Sequence, residues 1–282
     1  MQKKFSGCRM KKERLDKILA DLGYFDTKSR AQAAIMAGSV KVNGAVITKA
    51  GFMLEAKDDT VFEIKHMPYV SRGGFKLEKA LKEFNIDLKG RICLDAGAST
   101  GGFTDCMLQN GAEKVYSADT GYGQLAWKLR INPRVKVIEK VNIKNCPIES
   151  IYSEGDKRAS FIAADLSFIS LKKVLPNLIK LADSSGFEIA ALIKPQFEAG
   201  KEQADKNKGI VKEKEIHIQV IKDIIEYAES INLYAEHAAF SPVKGAKGNI
   251  EYLIHLSPET ALKKDINIEN IVNEAHQLLV NS

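Results

Sequence analysis

Asp95-Ala-Gly97-Ala-Ser99-Thr100-Gly101-Gly102 is the stretch of this 282-residue chain whose residue types and spacing point most directly to chemistry. It follows the apolar run Arg91-Ile-Cys-Leu94 and leads into an amphipathic stretch, Phe103 to Ala112. A carboxylate closing an apolar strand, then small residues, then a helical pattern is how a parallel α/β sheet presents a ligand at its first crossover. Glycines allow close backbone approach and positive φ, and a helix starting at Gly102 or Phe103 aims unpaired N–H groups at an anion. The spacing Gly-x-x-x-Gly-Gly is not the Gly-x-Gly-x-x-Gly of dinucleotide binders, and the Gly-Lys-Ser/Thr of a Walker loop is absent. An acidic residue followed by hydroxyls, with no lysine, suits a cofactor carrying an ammonium and a carboxylate, such as S-adenosylmethionine. A tight turn with a purely structural role would use the same residues.

Further polar residues fall at the C-terminal ends of expected strands: Asp119, Asn142, Asp165 and Lys194. In an open α/β sheet that edge is the ligand crevice, so residues distant in sequence converge there. Asp119, one βα unit beyond the glycine turn, is placed to accept hydrogen bonds from ribose hydroxyls, and Asn142 to meet an adenine edge. Lys194 ends the apolar run Ile189-Ala-Ala-Leu-Ile193 and precedes Pro195, which keeps the chain extended. A partly desolvated lysine loses basicity and can serve as a base, whereas a lysine snorkelling from a strand end would not. Lys76 lies beside the apolar stripe Leu77, Ala80, Leu81 and Phe84 of a helix expected over 74–84; on pattern alone it is a surface lysine.

The elements that must position these groups read as two parts. Leu15, Ile18, Leu19 and Leu22 fall at helical spacing and stop at Gly23. A second helix fits Lys28 to Ala37, with Thr27 as N-cap and Gly38 as stop. Val40-Lys-Val42 and Ala45-Val-Ile47 flank Asn43-Gly44, the favoured pair for a type I′ hairpin turn, and a strand is expected over 59–64. His66-Met-Pro68-Tyr-Val70 reads as a linker. Beyond it, strands are expected over 115–119, 135–140, 161–165, 188–194, 234–241 and 250–256. Helical patterns between most of the early ones imply right-handed crossovers and a mainly parallel sheet, with the last two strands antiparallel at an edge.

Composition narrows the class. The chain is 45% hydrophobic and 28% charged, enough for a well-buried core and two domains, and its net charge is +6. Residues 1–67 hold 13 Lys+Arg against 8 Asp+Glu, a surplus of 5, and the remainder holds 29 against 28, a surplus of 1. A basic module joined to a near-neutral α/β part suggests a nucleic-acid-holding piece attached to a chemical one. No apolar run approaches the roughly 18 residues of a membrane span. Cys8, Cys93, Cys106 and Cys146 form no Cys-x-x-Cys pair, so neither a disulfide framework nor a zinc site is suggested, and a cytoplasmic location is expected.

Arg14-Leu-Asp-Lys17, Ser29-Arg-Ala31 and Gly38-Ser-Val-Lys41-Val-Asn-Gly44 resemble the S4 RNA-binding domain, over roughly residues 13–65 within a domain expected to span 1–67. The resemblance implies binding to structured RNA through Arg14, Lys17, Lys28, Arg30 and Lys41. Such residues meet phosphates and shape, which gives salt-sensitive affinity with little sequence readout.

Five further blocks occur in one order: Ser71-Arg-Gly-Gly-Phe-Lys76-Leu, Leu94 to Asp105, Ala164-Asp-Leu-Ser-Phe-Ile-Ser-Leu171, Leu192-Ile-Lys-Pro-Gln-Phe-Glu198 and Lys247-Gly-Asn-Ile-Glu-Tyr-Leu253. Together they resemble the TlyA or haemolysin A family, S4-domain ribosomal RNA 2′-O-methyltransferases with an FtsJ-type catalytic domain, expected here over 68–282. The resemblance implies a Rossmann-like methyltransferase sheet and a catalytic tetrad at Lys76, Asp165, Lys194 and Glu251. It implies S-adenosylmethionine held at Asp95, Gly97, Ser99, Thr100, Gly101, Gly102, Asp119 and Asn142. No metal is implied. The expected substrate is ribosomal RNA within ribosomal subunits, a cytidine of the large subunit and also of the small one, with no membrane and no obligate protein partner. Lys140-Val-Asn142 stands where the family more often has Arg-Thr-Asn. The rival reading is an RNA-binding regulatory protein with a catalytically inactive Rossmann-like domain.

Overall fold

The computed structural model describes residues 2–4, 12–25, 27–36, 38–49, 51–57, 59–64, 67–200 and 209–280. Cys8, Ala37 and His66 lie outside the described residues. Contacts divide the chain into two units, Met1–Ser71 and Arg72–Ser282.

In the first unit, β1 (Gln2–Lys4) and β2 (Glu13–Arg14) precede two short helices, α1 (Leu15–Asp21) and α2 (Lys28–Met36). Then come β3 (Val40–Val42), β4 (Ala45–Ile47), β5 (Met53–Leu54) and β6 (Val61–Ile64). Thr27 Oγ1 accepts the Arg30 N–H at 3.2 Å, and Gly38 closes α2 at φ +70°. Asn43 and Gly44 both take positive φ, 49° and 81°, as a type I′ turn between β3 and β4 requires. The core is Leu15, Ile18 and Leu19 of α1 against Ala31 and Ile35 of α2, with Val40 and Phe62 from the sheet, all without solvent exposure. β1 joins this sheet by pairing antiparallel with β6, and β2 pairs with β5; two- and three-residue strands leave no periodicity to read.

The second unit begins with α3 (Gly73–Glu83), β7 (Ile92–Ala96), α4 (Gly102–Gln109), β8 (Lys114–Ala118), α5 (Trp127–Arg130) and β9 (Val135–Ile138). It continues with β10 (Phe161–Ala164), α6 (Leu175–Leu181), β11 (Glu188–Ile193), α7 (Pro195–Glu198) and α8 (Lys214–Ser230). It closes with β12 (Tyr234–Phe240), β13 (Tyr252–Ser257) and α9 (Ile268–Val280). The sheet order is β12-β13-β11-β10-β7-β8-β9. β11 through β9 are mutually parallel, while β13 runs antiparallel between β11 and β12.

The second unit is a Rossmann-like methyltransferase sheet and the first a small α+β S4 domain. The inner parallel strands β7, β8, β10 and β11 are buried on both faces. Leu94, Ala96, Tyr116, Ile162 and Ala191 point to one face, where Leu178 of α6, Ile221 and Ile224 of α8 and Val272 of α9 cover them. Residues of the other parity, Asp95 among them, point to the opposite face, where Thr104 of α4 lies.

Candidate active site

Four ionisable side chains from four elements meet beyond the C-terminal ends of β10 and β11. Lys76 comes from the first turn of α3, Asp165 follows β10, Lys194 follows β11, and Glu251 precedes β13. Lys76 Nζ lies 2.7 Å from Glu251 Oε2 and 3.2 Å from Asp165 Oδ2. Lys194 Nζ lies 2.6 Å from Asp165 Oδ1 and 3.0 Å from Ser167 Oγ. The chain runs Lys194, Asp165, Lys76, Glu251 in alternating charge. Lys76, Lys194 and Glu251 are 8%, 7% and 2% exposed, so the resemblance, and not the surface reading of Lys76, matches its environment.

The electrostatics separate the two lysines. Burial alone would lower the Lys76 pKa, but the Asp165 and Glu251 carboxylates outweigh it and hold it above the ordinary lysine value. Burial alone would raise Asp165, but Lys76 and Lys194 outweigh it and hold that carboxyl below its ordinary value. Lys76 is therefore a fixed cation spanning two carboxylates. Lys194 touches only one carboxylate and reaches the exposed Ser167. Gly245 leaves room for Glu251, since a Cβ there would run into the Glu251 carboxylate. Phe168, three residues past Asp165, is 91% exposed at φ +64° and packs against Phe197 with ring centroids 5.2 Å apart.

Across the sheet, the glycine turn joins β7 to α4. Gly97 (φ +93°) has a protein reason to be glycine, because a Cβ would stand 2.7 Å from the Asp165 carbonyl oxygen. Gly101 (φ +94°) would collide with Leu125 and Leu129, and Gly102 starts α4 buried. At Gly97 and Gly101 the missing side chain lets protein approach protein. Asp95 is wholly buried beneath the turn, its Oδ2 accepting from the Thr104 N–H (2.8 Å) and Oγ1–H (2.6 Å). Its Oδ1 is buried without a partner. Burial pushes the Asp95 carboxyl up to about 7.

Beside the turn lies a small hollow. Ser99 and Asp119 line it, with Glu139, Gln124 and apolar walls from Leu125 and Ile138. Asp119 accepts the Ser99 N–H at 2.8 Å and the Gly121 N–H at 2.6 Å, so it also pins the two loops that frame the hollow. Thr100 is exposed and its carbonyl accepts the Ala126 N–H. Asn142 is exposed outside the lining, its Oδ1 accepting the Lys144 N–H at 3.1 Å in a local turn. The polar group in the lining from the β9 edge is Glu139 instead. Glu139 directly follows the apolar strand β9, at the position where a parallel sheet presents ligand-facing groups. Ser167 and Gln124 carried no sequence signal of their own.

The lining holds two carboxylates and no lysine or arginine. That donor set fits a nucleoside with a diol and a cationic group, and it suits a pyrophosphate poorly. The FtsJ-like methyltransferase family matches residues 69–257, and the S4 domain matches residues 13–60.

The chain belongs to the FtsJ-like methyltransferase family.

It is a methyltransferase, and the methyl donor of this family is S-adenosylmethionine. A candidate rRNA methyltransferase of Bacillus subtilis, YqxC, is 44% identical over 95% of this chain and 96% of its own length. The 16S/23S rRNA (cytidine-2′-O)-methyltransferase TlyA of Mycobacterium tuberculosis is 39% identical over 89% of this chain and 91% of its own. Among solved structures, a candidate hemolysin of Streptococcus thermophilus is 41% identical, covers 96% of this chain and 98% of its own, and superposes with a TM-score of 0.75.

Within the S4 domain, Lys28, Arg30 and Lys41 are exposed. Arg14 pairs with Asp16 at 2.7 Å, and Lys17 pairs with Glu13 and Asp21. Asp16 is fully buried and also accepts from Gln32 at 2.6 Å; the Arg14 guanidinium holds its carboxyl down at about 2. Asp16 is a structural hub that the charge pattern did not single out.

Proposed function

We propose that this methyltransferase acts on the ribose 2′-hydroxyl of a cytidine in ribosomal RNA, in the large subunit and also in the small one. The observation that carries this reading is the alternating row Lys194-Asp165-Lys76-Glu251, buried at one end and open at Ser167. A 2′-hydroxyl is a weak nucleophile, so its oxygen must be aligned and its proton taken or its developing charge offset. S-adenosylmethionine supplies an electrophilic methyl group on a sulfonium. Everything else falls to side chains of this chain.

Lys194, at the open end of the row, meets the 2′-hydroxyl: as an amine it takes the proton, and as an ammonium it steadies the developing alkoxide. Asp165 aims Lys194 through their 2.6 Å contact. Lys76 keeps Asp165 ionised and is itself held by Glu251. Phe168 offers an exposed ring for a base to stack on beside the reacting ribose. Asp119 and Glu139 hold the cofactor's ribose side, and Asp95 acts from below, where its unpartnered Oδ1 accepts from a bridging water or the cofactor ammonium. Ser99, Thr100 and the Gly97, Gly101 and Gly102 backbone shape the turn over it. The relative named for 16S and 23S cytidine methylation supports the choice of nucleotide.

The test incubates the chain with labelled S-adenosylmethionine and separated ribosomal subunits, and maps methylated riboses by mass spectrometry. A 2′-O-methylcytidine that depends on Lys194 is the expected result. Methyl groups on bases only would overturn the ribose assignment, and failure to bind S-adenosylmethionine in equilibrium dialysis would leave the RNA-binding reading.

A further inference from the structure

At the opposite end of β13 from Glu251, about 13 Å along the strand, lies a second cluster of ionisable side chains that the transfer reaction does not use. Glu236, His237 and His255 each present one donor atom, all within 4.8 Å of one another. Consecutive strand residues normally point to opposite faces, so Glu236 and His237 should be separated by the sheet. A β-bulge prevents it: the register shifts between Ala235 and His237, so that Glu236 and His237 together oppose His255. All three side chains therefore gather under Phe84, whose ring stacks on His237 and His255 at 5.4 and 5.9 Å.

Three atoms of the cluster make no hydrogen bond, and His255 Nδ1 only approaches Glu236 Oε2, at 3.8 Å. His255 is 3% exposed and Glu236 is 7% exposed, yet His255 Nδ1, Glu236 Oε1 and His237 Nδ1 are buried without a hydrogen bond. Such atoms are costly unless something not made of protein satisfies them. His255 Nε2 lies 2.9 Å from Glu188 Oε2, so the ring donates there and its Nδ1 lone pair faces the cluster. Glu188 is in turn held by Arg91 at 2.6 Å. A carboxylate fixing the outer nitrogen of an imidazole is the arrangement that prepares a histidine as a metal ligand.

We propose that Glu236, His237 and His255 form a structural site for a divalent transition ion of the zinc type, clamping the edge hairpin β12–β13 that carries Glu251. Two imidazoles and a carboxylate suit such an ion, with water completing four-coordination. Bond lengths of about 2.0–2.1 Å bring tetrahedral donors to about 3.3 Å apart, so the cluster closes by about 1.5 Å on binding. His237, only half-buried, supplies most of that motion. Lys264 is the competitor: its Nζ lies 2.7 Å from His237 Nε2 and selects the tautomer with the proton on Nδ1. Ion binding moves that proton to Nε2 and sends the exposed Lys264 ammonium to solvent.

The experiment dialyses the untagged full chain, stripped with chelator, against Zn²⁺ alone. One ion per chain is expected, with His237→Ala and Glu236→Gln each weakening its binding at least about tenfold and Lys264→Ala tightening it. Co²⁺ in place of Zn²⁺ should give d–d absorption without a thiolate charge-transfer band. Absence of binding, equal affinity in wild type and His237→Ala, or a thiolate band would each overturn the site. If Glu236→Gln fails to fold by circular dichroism, Lys264→Ala still decides: unchanged or weaker Zn²⁺ binding in that folded surface variant counts against it.

Discussion

The two lysines of the alternating row differ in what their removal leaves behind, and that difference separates chemistry from structure. Lys194→Ala leaves Asp165 still paired with Lys76, so the fold should survive while methyl transfer is lost. The expected result is a fall in kcat of at least about 10²-fold, the lower range for a general acid or base, with S-adenosylmethionine affinity unchanged in dialysis. Lys76→Met instead strands Glu251, which is 2% exposed, and removing one partner of a buried pair costs about 3–5 kcal/mol. That variant should lose activity and unfold at a clearly lower urea midpoint; a wild-type midpoint would show that Glu251 does not need Lys76. Asp95 yields a pH prediction with an unusual sign. Its folded pKa of about 7 lies above the ordinary carboxylate value, so the native state binds a proton that the unfolded state has released. Stability from this group is full at low pH and is lost as pH rises through 7, at no more than about 1.4 kcal/mol per pH unit. Asp95→Asn removes the dependence while keeping an acceptor for Thr104. Its stability relative to wild type should therefore increase between pH 4 and 7 and level off above, as read from urea midpoints across that range.

At the scale of elements, the loops beyond the strands carry both the precision and the strain of the site. Ser99, Lys140, Phe168 and Lys247 are non-glycine residues at positive φ, and each sits in a loop bordering the hollow or the ionisable row. Gly245 tests how closely one such loop is fitted. Its φ is −76°, so alanine there costs no backbone strain, but the new Cβ meets a Glu251 carboxylate that Lys76 pins in place. Gly245→Ala should lower kcat by about an order of magnitude or more with little change in RNA affinity; unchanged kcat would show that the row tolerates a displaced Glu251. Legibility in the sequence followed the same division. The strands of the catalytic unit were readable because four- to seven-residue apolar runs have a period and an end, and Asp119, Asp165 and Lys194 lie just past those ends. Asn142 lies outside the hollow's lining because β9 stops at Ile138 and the turn after it folds Asn142 back on its own backbone. Neither periodicity nor spacing marks Lys76 or Glu251, 175 positions apart, as partners; only the family blocks do. The bulge at Glu236 was equally hidden, since a single inserted residue leaves the alternation of a short strand looking merely irregular.

For the whole molecule, the proposed function requires something to hold a ribosomal RNA near the site proposed to act on one ribose. The catalytic unit, Arg72–Ser282, is nearly neutral, with 29 cationic and 28 anionic side chains, so long-range attraction must come from Met1–Ser71 with its surplus of 5 positive charges. Among the described residues no helix is long and apolar enough to cross a membrane. Arg14 and Lys17 pair with carboxylates close to them in sequence, and Lys28, Arg30 and Lys41 are exposed. Phosphate contacts release counterions, so each one lost makes the dependence of log affinity on log salt shallower by about 1. Replacing Lys28, Arg30 and Lys41 together by alanine should weaken binding to isolated ribosomal subunits and flatten that dependence by about 2 to 3, measured by filter binding over a salt series. S-adenosylmethionine affinity should not change, since every hollow-lining residue comes from the other unit. At saturating substrate the variant should turn over at the wild-type rate, because the missing charges act on encounter and hold, not on the ribose. A salt dependence as steep as wild type would place the RNA contacts elsewhere on the chain, on Arg14 and Lys17 with their carboxylate partners released, or on the catalytic unit itself.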